Sequence, residues 1–114
     1  MEIRKLQEKI IKFRDARDWK QFHNPKDLAI SLTLEAAELL EHFQWKNAAE
    51  MEEHLAKNRK EVADEIADVF YWILLMSHDL KIDLVEAVNK KMKENEKKYP
   101  VEKARGSHAK HTEL

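Results

Sequence analysis

Cysteine is absent from this 114-residue chain, glycine occurs once and proline twice. Without cysteine there is no disulfide, no thiolate-bound zinc and no cysteine nucleophile, a composition that fits a reducing compartment. Glycine and proline together supply three residues of 114, against an ordinary share of about 12%. Hairpin-rich sandwiches and barrels therefore lack their turn residues. Glycine-rich phosphate loops are excluded as well, because the dinucleotide and Walker types each need at least two glycines and Gly106 stands alone. An excess of charge of one sign is also missing. With 21 basic and 22 acidic residues the net charge is −1, so no global field draws the chain to nucleic acid or to an anionic membrane. The longest apolar run, Val69–Met76, falls far short of the roughly 20 residues of a membrane span. The start, Met1–Arg4, has no apolar segment of the secretory type. These absences lead us to expect one soluble, cytoplasmic domain.

What is present is helical periodicity. Ile3, Leu6, Ile10 and Phe13 follow a three-four rhythm, which predicts a first helix ending near Asp18. Asn24 can cap a second helix with Pro25 in its first position and Asp27 in its first turn, running to about Gln44. Asn47 with Glu50, and Asn58 with Glu61, resemble capping boxes. They place a short helix near 48–57 and a long one over about 59–80. Asp83 with Glu86 starts a last helix that Tyr99–Pro100 ends. The expected architecture is an all-α bundle of four to five helices over residues 1–100, followed by a basic, flexible C-terminal tail at 101–114. Val69–Met76 is apolar around its whole circumference and must be covered on every side. A second subunit is the simplest cover, so a homo-oligomer is expected.

Acid pairs three apart are frequent here, and spacing alone says little. Context separates two of them. Glu35 and Glu38 interrupt the apolar stretch Leu28–Leu40, and Glu65 and Asp68 interrupt Val62–Trp72. Residues three apart share a helix face. Should both pairs turn inward, four carboxylates converge, and burying them unpaired costs several kcal/mol per ion. A divalent cation resolves that conflict, and an oxygen-only donor set without cysteine or paired histidine points to Mg²⁺, with Mn²⁺ as a substitute. Since Mg²⁺ keeps waters and joins one or two carboxylates to phosphates, the implied ligand is a polyphosphate. Ferritin-like di-iron chemistry needs Glu-x-x-His on two helices. None of His23, His42, His54, His78, His108 and His111 has an acid three residues before it.

Lys91 and Asn95 share a face of the last helix and offer a point charge for phosphate and an amide for a base edge. From spacing alone an ordinary surface lysine and asparagine explain them better. Trp19, Phe22, His23 and Trp45 fall at the ends of the first two helices, where an aromatic can stack on a base or simply fill core. His42 lies seven residues after Glu35 on the same face and reads as a hydrogen-bonded neighbour.

The pattern Glu35-x-x-Glu38, then Glu65-x-x-Asp68, resembles the metal signature of the MazG-like all-α nucleoside triphosphate pyrophosphohydrolases. The segments Phe13–Pro25, Glu38–Lys46, Asp64–Val69, Lys97–Pro100 and Lys110–Leu114 most resemble the dCTP pyrophosphatase branch. The resemblance implies a homotetramer built as a dimer of dimers, Mg²⁺ dependence, and cleavage of a nucleoside triphosphate to monophosphate and pyrophosphate. It makes Glu35, Glu38, Glu65 and Asp68 the metal ligands. Lys91 and Asn95 match positions that meet phosphate and base, Trp19 and Trp45 line the base pocket, and Trp72 stands where related sequences carry a tyrosine. Ile10 and His111 depart from the pattern, which bears on base specificity. The expected function is sanitation of the nucleotide pool, on dCTP or a modified dCTP, with Glu38 as the group that takes the proton of the attacking water. Alternatives are the same chemistry on dUTP or another non-standard nucleotide, or a non-enzymatic helical oligomerisation module.

Overall fold

The computed structural model describes residues 2–114. It contains α1 (Glu2–Ala16), α2 (Pro25–Glu41), α3 (Ala48–Lys57), α4 (Arg59–Asp79), α5 (Leu84–Lys98) and α6 (Val101–Ala104), with 3₁₀ turns at Lys20–Phe22 and His111–Glu113. No strand occurs among the described residues, so the all-α expectation holds. The chain forms two compact units that divide after Lys81. The first carries α1 to α4 and the second α5, α6 and the C-terminal turn.

In the first unit α4 is the central element, packed chiefly on α2 and then on α1 and α3. Leu28 of α2 and Val62, Leu74 and Leu75 of α4 are its buried apolar residues. The cover of Val69–Ile73 is incomplete within one chain, for these side chains stay half-buried. On α1 the buried face is not the stripe of Ile3, Leu6, Ile10 and Phe13, of which Ile3, Leu6 and Phe13 remain exposed. Polar partners on α4 turn the helix instead. Gln7 Nε2 donates to the Leu74 carbonyl at 2.9 Å and to Ser77 Oγ at 3.1 Å. Two helical turns on, the wholly buried Arg14 donates to both carboxylate oxygens of Asp79, at 2.7 and 3.0 Å.

The helix starts follow the sequence signals closely, and the ends less so. Asn24 accepts from the Asp27 N–H and Asp83 from the Glu86 N–H. The Asn47 capping box forms in full, each partner's side chain bonding the other's backbone N–H. The second box does not form. Asn58 closes α3, its N–H on the His54 carbonyl, while its carboxamide turns back to His54 rather than forward to Glu61. Helix α1 stops at Ala16 and α2 at Glu41 because tight turns follow each. Asp18 and Trp45 there take left-handed backbone, φ 54° and 66°. The last α-helix, α6, is a single turn in the segment expected to form a flexible basic tail, with the Pro100 carbonyl accepting from Lys103 and Ala104 N–H.

Candidate active site

The packing of α2 on α4 builds the site. Glu35 and Glu38 lie one turn apart on α2, and Glu65 faces them from α4. One carboxylate oxygen from each of the three lies within 4.8 Å of the others. Glu35 and Glu65 are half-buried and Glu38 is exposed. An oxygen of Glu35 and one of Glu65, Oε2 in each case, is buried with no hydrogen-bond partner. Burial first, then contact with Glu65 and Glu38 and the charges of Asp68 and Glu38, raise the Glu35 carboxyl to about 7. Burial first, then Glu38 and the charge of Asp68, also raise Glu65, against the contact with Glu35, which lowers it. Crowded acids hold protons when nothing else neutralises them, and two orphaned oxygens facing a third carboxylate fit a hard divalent cation. Asp68, the fourth expected ligand, is exposed and stands outside the 4.8 Å group, but its charge acts on both Glu35 and Glu65.

Beside the carboxylates a cavity of about 310 Å³ is lined by Glu38, Glu41, His42, His54 and Glu65. His42 Nδ1 lies 2.9 Å from His54 Nε2, so His42 is the hydrogen-bonded residue its spacing suggested. Spacing gives no sign of this partner, which lies twelve residues on; the one local signal at His54 is Asn58 one turn later, the spacing at which a carboxamide reaches back to a ring.

The aromatic residues grouped in the sequence separate in the structure. His23 packs edge-on against Trp72, ring centroids 5.5 Å apart, one turn beyond Asp68 on α4. Burial, and then the Arg14 guanidinium, hold His23 below its ordinary pKa. Trp19 pairs instead with Phe13 at 5.7 Å, and the Arg17 guanidinium sits 3.7 Å over the Phe13 ring. Trp45 is 91% exposed and Phe22 is exposed too. Lys91 and Asn95 belong to the second unit. There Lys91 stands 3.6 Å from Glu94, and the Asn95 carbonyl accepts from the Tyr99 N–H at 2.8 Å.

The model of the MazG-like family matches residues 30–114, a span that includes Glu35, Glu38, Glu65 and Asp68. The dCTP pyrophosphatase 1 proteins of Rattus norvegicus and Homo sapiens are 39% and 38% identical to this chain over 104 residues, 90% of its length. The chain spans 61% of the length of each of these relatives. A crystal structure of a pyrophosphatase from Archaeoglobus fulgidus superimposes with a TM-score of 0.83 at 42% identity, covering 88% of this chain and 94% of that one. With the family model, the curated relatives and the solved fold in agreement, the chain belongs to the MazG-like family.

Proposed function

We propose that this chain is a Mg²⁺-dependent nucleoside triphosphate pyrophosphohydrolase whose preferred substrate is dCTP or a modified dCTP. The observation that carries the reading is the convergence of Glu35, Glu38 and Glu65 from two helices, with two buried oxygens left unbonded. Relatives named as dCTP pyrophosphatases support the choice of nucleotide. In this reading Glu35, Glu38 and Glu65, with Asp68 beside them, hold the cation. Bound there, Mg²⁺ supplies positive charge against the phosphates and acidifies a coordinated water.

The chain's own residues do the rest. Water attacks the α-phosphorus, a new oxygen–phosphorus bond forms, and the bond to the β-phosphate oxygen breaks to release pyrophosphate. Glu38, exposed on the cavity wall, takes the water's proton through a carboxylate oxygen. His23, Trp72, Trp19 and Trp45 form the base pocket, the last two completed by assembly of a homotetramer. Lys91 and Asn95 meet phosphate and base, and residues 101–114 serve as a basic tail to the 1–100 catalytic domain. The site of action is the cytoplasm.

A panel of dCTP, 5-methyl-dCTP, dUTP and dTTP with Mg²⁺ tests the reading. We expect pyrophosphate and monophosphate, fastest from the cytosine nucleotides. Release of orthophosphate, or no turnover, overturns it. Glu38→Gln is expected to lower kcat by at least a hundredfold with the far-ultraviolet spectrum unchanged.

A further inference from the structure

The cavity beside the carboxylates holds a directed chain of hydrogen bonds that the reaction described above does not use. Its direction follows from Asn58. The Asn58 Nδ2 atom lies 3.1 Å from the His54 carbonyl oxygen and 3.2 Å from His54 Nδ1. A carbonyl oxygen only accepts, so the amide nitrogen and not the amide oxygen faces it, and the second amide proton goes to Nδ1. The His54 ring therefore accepts at Nδ1 and carries its proton on Nε2. That nitrogen is 2.9 Å from His42 Nδ1, and two imidazoles at this distance need one donor and one acceptor. His54 Nε2–H donates, His42 Nδ1 accepts, and a neutral His42 is left with its proton on Nε2. Burial, Lys46 and His42 hold His54 below its ordinary pKa, while Glu61 opposes them, which favours the neutral form of the His54 ring.

The relay ends at a donor among acceptors. The other polar walls of the cavity are the carboxylates Glu38, Glu41 and Glu65. His42 follows Glu38 by one helical turn, and beyond the bond to His54 its ring makes no second hydrogen bond among the described residues. A carboxylate cluster admits an anion only in company with a cation, and a cation-bound polyphosphate entering this cavity would bring its oxygens to the wall that His42 lines. We propose that His42 contacts a phosphate oxygen of the bound polyphosphate through Nε2–H, with His54 and Asn58 as positioning residues that fix its tautomer. The proposal rests on the pyrophosphohydrolase reading of the carboxylate site.

Two measurements test it. In the metal-free protein, nitrogen-15 correlation spectra of the imidazoles should show His42 and His54 both protonated at Nε2, and Asn58→Leu should release that preference. Calorimetric titration with inorganic pyrophosphate and Mg²⁺ should show about tenfold weaker binding for His42→Leu, the scale of one charge-assisted hydrogen bond. His42→Gln, which keeps an N–H donor, should recover most of the loss, and with a turned-over nucleotide the change should fall on KM and not on kcat. Asn58→Leu keeps the test open should His42→Leu fail to fold, and should weaken pyrophosphate binding in the same direction. Unaltered affinity in folded His42→Leu, no pyrophosphate binding by the wild type, or an Nδ1-protonated His42 overturns the proposal. A wild type that binds pyrophosphate yet hydrolyses no nucleotide overturns the parent reading and leaves the contact standing.

Discussion

Arg14 shows how much a single side chain can decide. Its guanidinium is wholly buried and spans both oxygens of Asp79, while His23 Nδ1 stands 3.4 Å away. Removing one partner of a buried pair strands the other, at a cost of about 3 kcal/mol or more. Urea denaturation of Arg14→Met should show a loss of that size, and the double variant Arg14→Met with Asp79→Leu should regain part of it. Burial alone would raise the Asp79 carboxyl, but the Arg14 guanidinium outweighs it and holds the group below its ordinary value. A depressed carboxyl stabilises above its unfolded pKa of about 4 and loses that contribution as pH falls through the lower folded value. Asp79→Asn should therefore flatten the acid limb of the stability curve. Glu35 works with the opposite sign. Raised to about 7 in the folded chain, it keeps a proton there that the unfolded chain gives up at an ordinary carboxylate pKa, so metal-free stability falls as pH rises from about 4.5 to 7. Glu35→Gln should melt higher than the wild type at pH 8 without Mg²⁺, and should gain less when Mg²⁺ is added. The sequence did not reveal Arg14, because a charged residue between Phe13 and Asp15 reads as solvent-facing. Its burial depends on Asp79, 65 positions away.

At the scale of the helices, the legible signals were those satisfied within one turn. Asn24, Asn47 and Asp83 cap as their spacing predicts because partner and cap are three residues apart. Asn47→Ala should cost about 1 kcal/mol in urea midpoint analysis, whereas Glu61→Gln should leave stability unchanged, since no capping box forms at Asn58. Helix ends were less legible because they are set by backbone conformation. Left-handed residues fall at Asp18, Trp45 and Lys81, while the one glycine takes φ 76° at Gly106 with open space around it. A side chain in that conformation costs about 1–2 kcal/mol. Lys81→Gly should consequently raise the thermal midpoint, by up to about 1 kcal/mol in stability, and an unchanged or lower midpoint would remove strain as the explanation. The carboxylate pairs were legible for the same local reason, their spacing and apolar setting. That α2 meets α4 with Glu38 and Glu65 in reach is a tertiary fact, and so are the separation of Trp19 from His23 and the pairing of His42 with His54.

For the whole molecule, the decisive observation is how little of the apolar surface one chain covers. Ile30 and Leu34, one turn apart on α2, are 48% and 60% exposed, Leu40 is 68% exposed, and Ile66 on α4 is 54% exposed. Solvated apolar area on this scale marks an interaction surface, and a second copy is the occupant we favour. Leu34→Glu should lower the molecular mass measured by light scattering, and a wild-type monomer would overturn the assembly. Trp45 carries a further consequence. Held in left-handed backbone and 91% exposed, it differs optically from Trp72, whose ring is half-buried against His23. The chain thus contains its own fluorescent reporter in the turn between α2 and α3. Emission from Trp45 begins at the wavelength of an indole in water, and whatever comes to rest on it, a neighbouring subunit or a nucleobase, will announce itself as a shift to the blue.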